Sequence, residues 1–184
     1  MTQENNNYNV DELLSGMTQD LQTLLQQRKL DDPVMVGIHT AGVWIAQRLY
    51  QALNISEPLG KLNISFYRDD FSRIGLHPQI KPSKLPFSIE NKHIILVDDV
   101  LYTGRTIRAA MNELFDFGRP ASITLAVLID RGGRELPIEA QVVGLKKKLD
   151  ANHYFQLSNT PGENNATGND KNKLELSIIN REKN

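Results

Sequence analysis

Two adjacent carboxylates, Asp98 and Asp99, follow the aliphatic run Ile94-Ile95-Leu96-Val97, and Thr103-Gly104-Arg105-Thr106 comes a few residues later. An aliphatic run of this kind suits a central parallel strand. Neighbouring acids at the end of a buried strand cannot both be satisfied by burial, so a polar ligand or a cation is expected beside them. Thr103, Gly104 and Thr106 then open a helix. Free backbone N–H groups, two hydroxyls and the positive end of the helix dipole together make a phosphate cradle. Acids on one side of a turn and a cradle on the other fit a ribose 5-phosphate. The acids would hydrogen-bond the 2′- and 3′-hydroxyls, and the loop would hold the 5′-phosphate. This is neither a Walker A loop, which needs Gly-Lys-Ser/Thr, nor a dinucleotide fingerprint, since no strand end carries Gly-x-Gly-x-x-Gly. A lone Asp-Asp would more often cap a turn; the thirteen residues Ile94 to Thr106 combine parts that match one ligand.

Other strand ends are polar as well, at His39-Thr40 and Asp130-Arg131. Ligands of open parallel sheets bind beyond such carboxyl ends. The elements that must position them follow from periodicity. Val10, Leu13, Leu14, Met17, Leu21, Leu24 and Leu25 form one helical face, with Asn9 as N-cap and Asp11 and Glu12 in the first turn. After Asp31-Asp32-Pro33, the run Val34 to Ile38 reads as a buried strand, and a second helix carries Ala46, Leu49, Tyr50 and Leu53 on one side. Leu62 to Tyr67 alternates as a half-exposed strand. Arg68 to Asn91, with Pro78, Pro82 and Pro86, reads as a long loop or loose hairpin of the kind that is more often functional than idle. His93 to Val97 is the central strand. Ile107, Ala110, Met111 and Leu114 line the next helix, which Gly118 ends, and Ile123 to Ile129 is a further strand. The order predicts an α/β domain with a mainly parallel sheet flanked by helices. Ser158 to Lys173 holds five Asn and no Leu, Ile, Val or Phe, so it is expected to be a mobile loop or tail, with Leu174 to Ile179 returning as a short edge strand.

The chain has 184 residues, enough for one domain with a real core. Hydrophobic residues make up 40% and charged residues 23%, the balance of a globular protein, and the formal net charge of −1 gives no bulk attraction to nucleic acid or an acidic membrane. With no cysteine, disulfides, thiolate catalysis and thiolate metal sites are excluded. The polar start MTQENNNYNV is no signal peptide and no apolar run approaches a membrane span, so a soluble, cytoplasmic domain is expected.

Ile94 to Thr106 resembles the phosphoribosyl-pyrophosphate (PRPP) motif of type I phosphoribosyltransferases. With Phe66-Tyr67-Arg68-Asp69-Asp70, Gly118-Arg119-Pro120 and Asp130-Arg131-Gly132-Gly133-Arg134-Glu135-Leu136-Pro137, the chain resembles the family of bifunctional pyrimidine regulators and uracil phosphoribosyltransferases from about Val10 to Gly144. The resemblance implies the type I fold with a small hood, and formation of UMP and pyrophosphate from uracil and PRPP with Mg2+. For some members it also implies UMP-dependent binding of pyrimidine-operon leader RNA, and it suggests dimers or tetramers. Carried over by position, Asp98 and Asp99 would hold the ribose hydroxyls, and Val100, Leu101, Tyr102, Thr103, Gly104, Arg105 and Thr106 would wrap the 5′-phosphate. His39, Thr40, Ala41 and Gly42 would form the pyrophosphate loop. Arg68 would belong to a lid and neutralise the leaving group. Ile129, Asp130 and Arg131 would border the base, largely through backbone groups. Two departures mark the chain: Thr40-Ala41 where many members have Thr-Arg, and Gly132-Gly133 where many have Gly-His.

Alternatives stand beside these roles. Arg68 also suits an ordinary surface arginine, and Asp130 a turn residue as much as a group near magnesium or the base. His39, His77, His93 and His153 are scattered without zinc-ligand spacing. Lys146-Lys147-Lys148, the basic run, reads first as a solvated segment; RNA contact would need it to join Arg73, Arg119 and Arg134 on one face. An RNA-binding attenuator, or a nucleotide sensor with little or no catalysis, is the rival to the enzyme.

Overall fold

The computed structural model describes residues 8–64, 82–161 and 172–180. Helix α1 (Val10–Arg28) starts where the sequence predicts: the Asn9 side chain accepts the N–H of Glu12 and donates to its carboxylate, satisfying an otherwise orphaned first-turn donor. Then come β1 (Val34–Ile38), α2 (Ala41–Leu53), β2 (Gly60–Leu62), β3 (His93–Leu101), α3 (Arg105–Phe117), β4 (Ser122–Asp130) and β5 (Val142–Lys146). The five strands form one parallel sheet in the order β2-β1-β3-β4-β5. An antiparallel pair, β6 (His153–Thr160) and β7 (Lys173–Asn180), stands apart as a second sheet.

Strand alternation divides the core in two. Met35, Ile95, Val97, Ala126 and Leu128 face α1 and α2, while Val34, Val36, Ile94, Leu96, Leu125 and Val127 face Ile107, Ala110 and Leu114 of α3. Because both faces of the sheet are covered, its strands read as continuous aliphatic runs. Each fully buried Leu or Ile among them contributes about 1.5–3 kcal/mol relative to exposure. The alternation slips at Asp98-Asp99: Val100 packs with the α1–α2 side and Leu101 with the α3 side.

Several expectations are corrected. The half-exposed strand placed at Leu62 to Tyr67 is β2, Gly60–Leu62; Asn63 and Ile64 lie beyond it, and 65–67 lie outside the described residues. The loop or loose hairpin expected over 68–91 agrees with residues 82–91, which form no helix or named strand and whose Lys84 exchanges backbone hydrogen bonds with Lys61; 68–81 lie outside the described residues. Strands β5 and β6 carry too few consecutive apolar residues to stand out in the sequence. The stretch expected to be mobile, 158–173, is strand at both ends, in β6 to Thr160 and in β7 from Lys173; 162–171 lie outside the described residues. The returning strand pairs with β6 rather than with the edge of the main sheet. Phe155, Leu157, Leu174 and Leu176 bury one face of this hairpin against the α1–α2 cluster, which is what orders it. No described helix is long and apolar enough to cross a membrane.

Candidate active site

In an order 2-1-3-4-5 the connections leaving β1 and β3 diverge to opposite sides, which opens a crevice at their carboxyl ends. Both polar motifs lie there. At the end of β1, His39 donates its N–H to the Leu62 carbonyl (2.8 Å), the His39–Thr40 peptide is cis, and Thr40 leads into α2 without capping it through its side chain. Ala41, the first residue of α2, contributes only a methyl. Gly42 sits so near β3 that an added Cβ would lie 2.7 Å from the Val97 carbonyl oxygen and 3.0 Å from Asp98 Cα. A bare Cα at this position lets the two loops meet.

At the end of β3, Asp98 is 2% exposed and its Oδ1 accepts the N–H of Asp99 (3.0 Å), while Asp99 is half-buried at the mouth of the crevice. Tyr102, Thr103 and Gly104 turn the chain into α3; Gly104 adopts φ +94°, a left-handed conformation. The Arg105 N–H bonds Thr103 Oγ1 (3.3 Å), and the Arg105 side chain pairs with Glu135 (2.7 Å) in an exposed bridge. The loop after β4 folds over this turn, since Glu135 and Leu136 both donate their N–H groups to the Thr103 carbonyl (3.0 and 3.1 Å).

At the end of β4, Ile129 is fully buried, paired with Val100 on one side and Leu145 on the other. Asp130 accepts from Arg134 (2.7 Å) and from the Gly132 N–H (2.9 Å). Burial works to raise its carboxyl pKa, but the Arg134 hydrogen bond, the Gly132 N–H and the charges of Arg134 and Lys146 outweigh it and hold the group below its ordinary value. Arg134 also donates to the carbonyls of Tyr102 (2.9 Å), Ile138 (2.9 Å) and Leu101 (3.3 Å). It is a tie between strand ends, a role that a residue directly after Gly-Gly does not announce in sequence. Arg131 is 7% exposed and turns inward: its Nη2 donates to the Asp150 carbonyl (3.0 Å) and its guanidinium stacks on the Tyr102 ring.

The structure thus gathers Thr40, Ala41, Asp98, Asp99, Thr103, Gly104 and Thr106 about the β1–β3 crevice, with Ile129 and Asp130 one strand further along the same edge. Arg68 lies outside the described residues. Within the basic run Lys146 and Lys148 are exposed, as in a solvated segment, while Lys147 is half-buried, bonds the Tyr8 hydroxyl and lies 5.2 Å from its ring centroid; Lys148 runs along Gly132. Gly42 and Arg134 stand in motifs the sequence displays, but their supporting contacts leave no mark there, and nothing in the sequence flags Asp150; the Gly132-Gly133 pair signals an unusual turn.

A family model described as Phosphoribosyl transferase domain matches residues 9–157. The Bifunctional protein PyrR of Nitrosococcus oceani is 56% identical over 152 residues, covering 82% of this chain and 86% of that protein. The protein of the same name from Pseudomonas paraeruginosa is 60% identical over 146 residues, covering 79% and 86%. Among solved structures, a hypoxanthine phosphoribosyltransferase of Staphylococcus aureus superposes with a TM-score of 0.56 at 26% identity, covering 78% of this chain and 77% of that one. The Trypanosoma cruzi hypoxanthine phosphoribosyl transferase gives 0.65 at 20% identity over 98% and 93%, a likeness of fold. Acid pair, phosphate cradle and parallel sheet therefore have one source: the chain is a phosphoribosyltransferase and belongs to the PyrR family.

Proposed function

We propose that this chain forms UMP and pyrophosphate from uracil and PRPP. We further propose that UMP held in the same crevice links the protein to regulation of pyrimidine-biosynthesis genes. One observation carries the reading: Asp98-Asp99 and the Thr103–Thr106 cradle leave the same strand end at the β1–β3 crevice, in a spacing that suits one ribose 5-phosphate. Asp98 and Asp99 hold the ribose hydroxyls, and the N–H groups and hydroxyls of Thr103 to Thr106 hold the 5′-phosphate. Thr40 and Ala41 offer the backbone of the α2 N-terminus to the pyrophosphate. The C1′–oxygen bond to pyrophosphate breaks, its electron pair leaving with the pyrophosphate, as uracil N1 bonds to C1′ and its proton passes to solvent. Positive charge develops on the ribose ring, and the carboxylates beneath it stabilise that charge electrostatically. Orientation of the two reactants supplies much of the remaining acceleration. No side-chain nucleophile is required. Ile129 and Asp130 border the base, and Arg68 neutralises the departing pyrophosphate.

No group of three or more His, Asp or Glu is gathered among the described residues, so no all-protein metal cage exists there. Asp98 and Asp99 are hard oxygen donors. They fit a magnesium ion that takes its other ligands from phosphate oxygens and water, the usual mode for this cation. Bound there, it would neutralise charge on the leaving pyrophosphate.

Ala41 favours a second reading, a nucleotide sensor with little turnover, because its methyl replaces the arginine that many members place at the pyrophosphate. RNA readout would draw on a basic face. Arg134 is committed to carbonyls and Asp130, and Lys147 to Tyr8, while Arg73 lies outside the described residues. The partners proposed are uracil, PRPP and UMP, then leader RNA, with a homo-oligomer, dimer or tetramer, as the assembly. The test is UMP formation from uracil and PRPP with magnesium at varied PRPP. Turnover is expected; nucleotide binding without turnover at saturating PRPP would leave the sensor.

A further inference from the structure

Tyr102 stands in the turn proposed to cradle the 5′-phosphate and is 43% exposed, yet its ring is held in place. Two neighbours hold it. On one side the Arg131 guanidinium lies 4.3 Å from the ring centroid. Gly133 meets the ring edge so closely that a Cβ there would lie 2.5 Å from Tyr102 Cε2 and 3.2 Å from Cδ2, so the ring would have to shift. Gly133 also has φ +71°, so the position selects glycine twice over. Arg131 is itself anchored. Its N–H donates to the Leu101 carbonyl (2.9 Å) and its Nη2 to the Asp150 carbonyl (3.0 Å). The Asp150 carboxylate in turn accepts from the Asn152 N–H (2.9 Å) and contacts His153 Nδ1 (2.7 Å) at the start of β6. A continuous line of contacts therefore runs from the hairpin to the phosphate turn.

We infer that Arg131 and Gly133 clamp the Tyr102 ring and thereby hold the Tyr102–Gly104 turn in its phosphate-binding shape. Arg131 is then a positioning residue that acts through Tyr102, not a group whose guanidinium reads the base. Its Nη2 is engaged by Asp150, its π-face by Tyr102, and its Nε is buried with no partner. A side chain at position 133 and this position of the Tyr102 ring exclude each other.

The inference rests on the phosphoribosyltransferase reading, and binding separates the two. Kd for UMP and for inorganic pyrophosphate would be measured by calorimetry, and KM for PRPP and kcat by turnover. Tyr102→Ala is expected to weaken UMP binding and raise KM for PRPP by about tenfold, the size of a lost partly desolvated cation–π contact, while kcat moves less than KM. Pyrophosphate, bound at the other loop, should keep its affinity; a general structural defect would weaken both ligands. Tyr102→Phe should recover most of the loss because the ring is retained. Gly133→Ala should reproduce Tyr102→Ala by pushing on the ring edge. Arg131→Lys should weaken UMP binding in the parent and add nothing in the Tyr102→Ala background. Multiplying losses in that double variant, an unchanged Kd in Tyr102→Ala, or equal losses in Tyr102→Phe and Tyr102→Ala would overturn the clamp. A parent protein that binds UMP without turnover would remove catalysis but leave the clamp readable in Kd. One that binds neither UMP nor PRPP would overturn both.

Discussion

Asp98 and Asp99 share a residue type and differ in setting. The first is almost wholly enclosed and accepts its neighbour's N–H, whereas the second is half-buried at the crevice. On the proposed function, the charge offered to the ribose would come chiefly from Asp99. Asp99→Asn keeps size and hydrogen-bonding capacity while removing that charge, and should lower kcat/KM by about 100-fold, in the range for losing a group that stabilises transition-state charge. The urea midpoint should not move. An unchanged rate would eliminate the proposed ribose contact. Both acids were legible in the sequence because charges at the end of an aliphatic strand demand a reason. Arg134 was not, since its work consists of hydrogen bonds to carbonyls from several separate segments, and carbonyls leave no mark on a sequence.

Among the elements, the approach of α2 to β3 decides whether the two ligand loops converge. Gly42 permits it. Gly42→Ala would set a methyl against the Val97 carbonyl oxygen at 2.7 Å, backbone that cannot yield as a side-chain tip can. The expected cost is about 1–3 kcal/mol of stability, as for overpacking elsewhere, read as a lower urea midpoint. Pyrophosphate affinity should fall with it, because the α2 N-terminus must withdraw; unaltered stability and affinity would show that the helix shifts freely. Helices α1, α2 and α3 and strands β1, β3 and β4 followed from periodicity and caps. The β6–β7 hairpin did not. Its apolar residues alternate along short strands separated by an Asn-rich connection, and their burial against α1 and α2 exists only once those helices are in place.

Across the whole molecule, ion pairs near the crevice link stability to pH. The folded protein holds Asp130 below its ordinary pKa of 3.8, mainly through Arg134 and the Gly132 N–H acting against burial. Such a group stabilises the fold fully above the unfolded value and loses that contribution as pH falls through the lower folded value. Asp150, held down by its hydrogen bond to His153, has the same sign, weakened by its exposure to solvent. Urea midpoints should therefore fall as pH drops below about 4. Asp130→Asn should be less stable than the parent at neutral pH and show a flatter acid limb. Parallel acid limbs in the two proteins would mean that the Asp130–Arg134 pair carries no linkage.

Local patterns in the sequence suffice for the parallel α/β architecture, the acid pair, the Thr103–Thr106 turn and the family. These patterns are aliphatic runs, helical periodicity, and charges placed where burial forbids them. Tertiary structure alone decided that Arg131 turns inward to Tyr102, that Lys147 reaches Tyr8, and that the residues from 153 onward return as a second sheet. Each of those outcomes joins segments distant in the chain. Their contact energy appears only when strand order has brought the segments together, so no single stretch of sequence contains it.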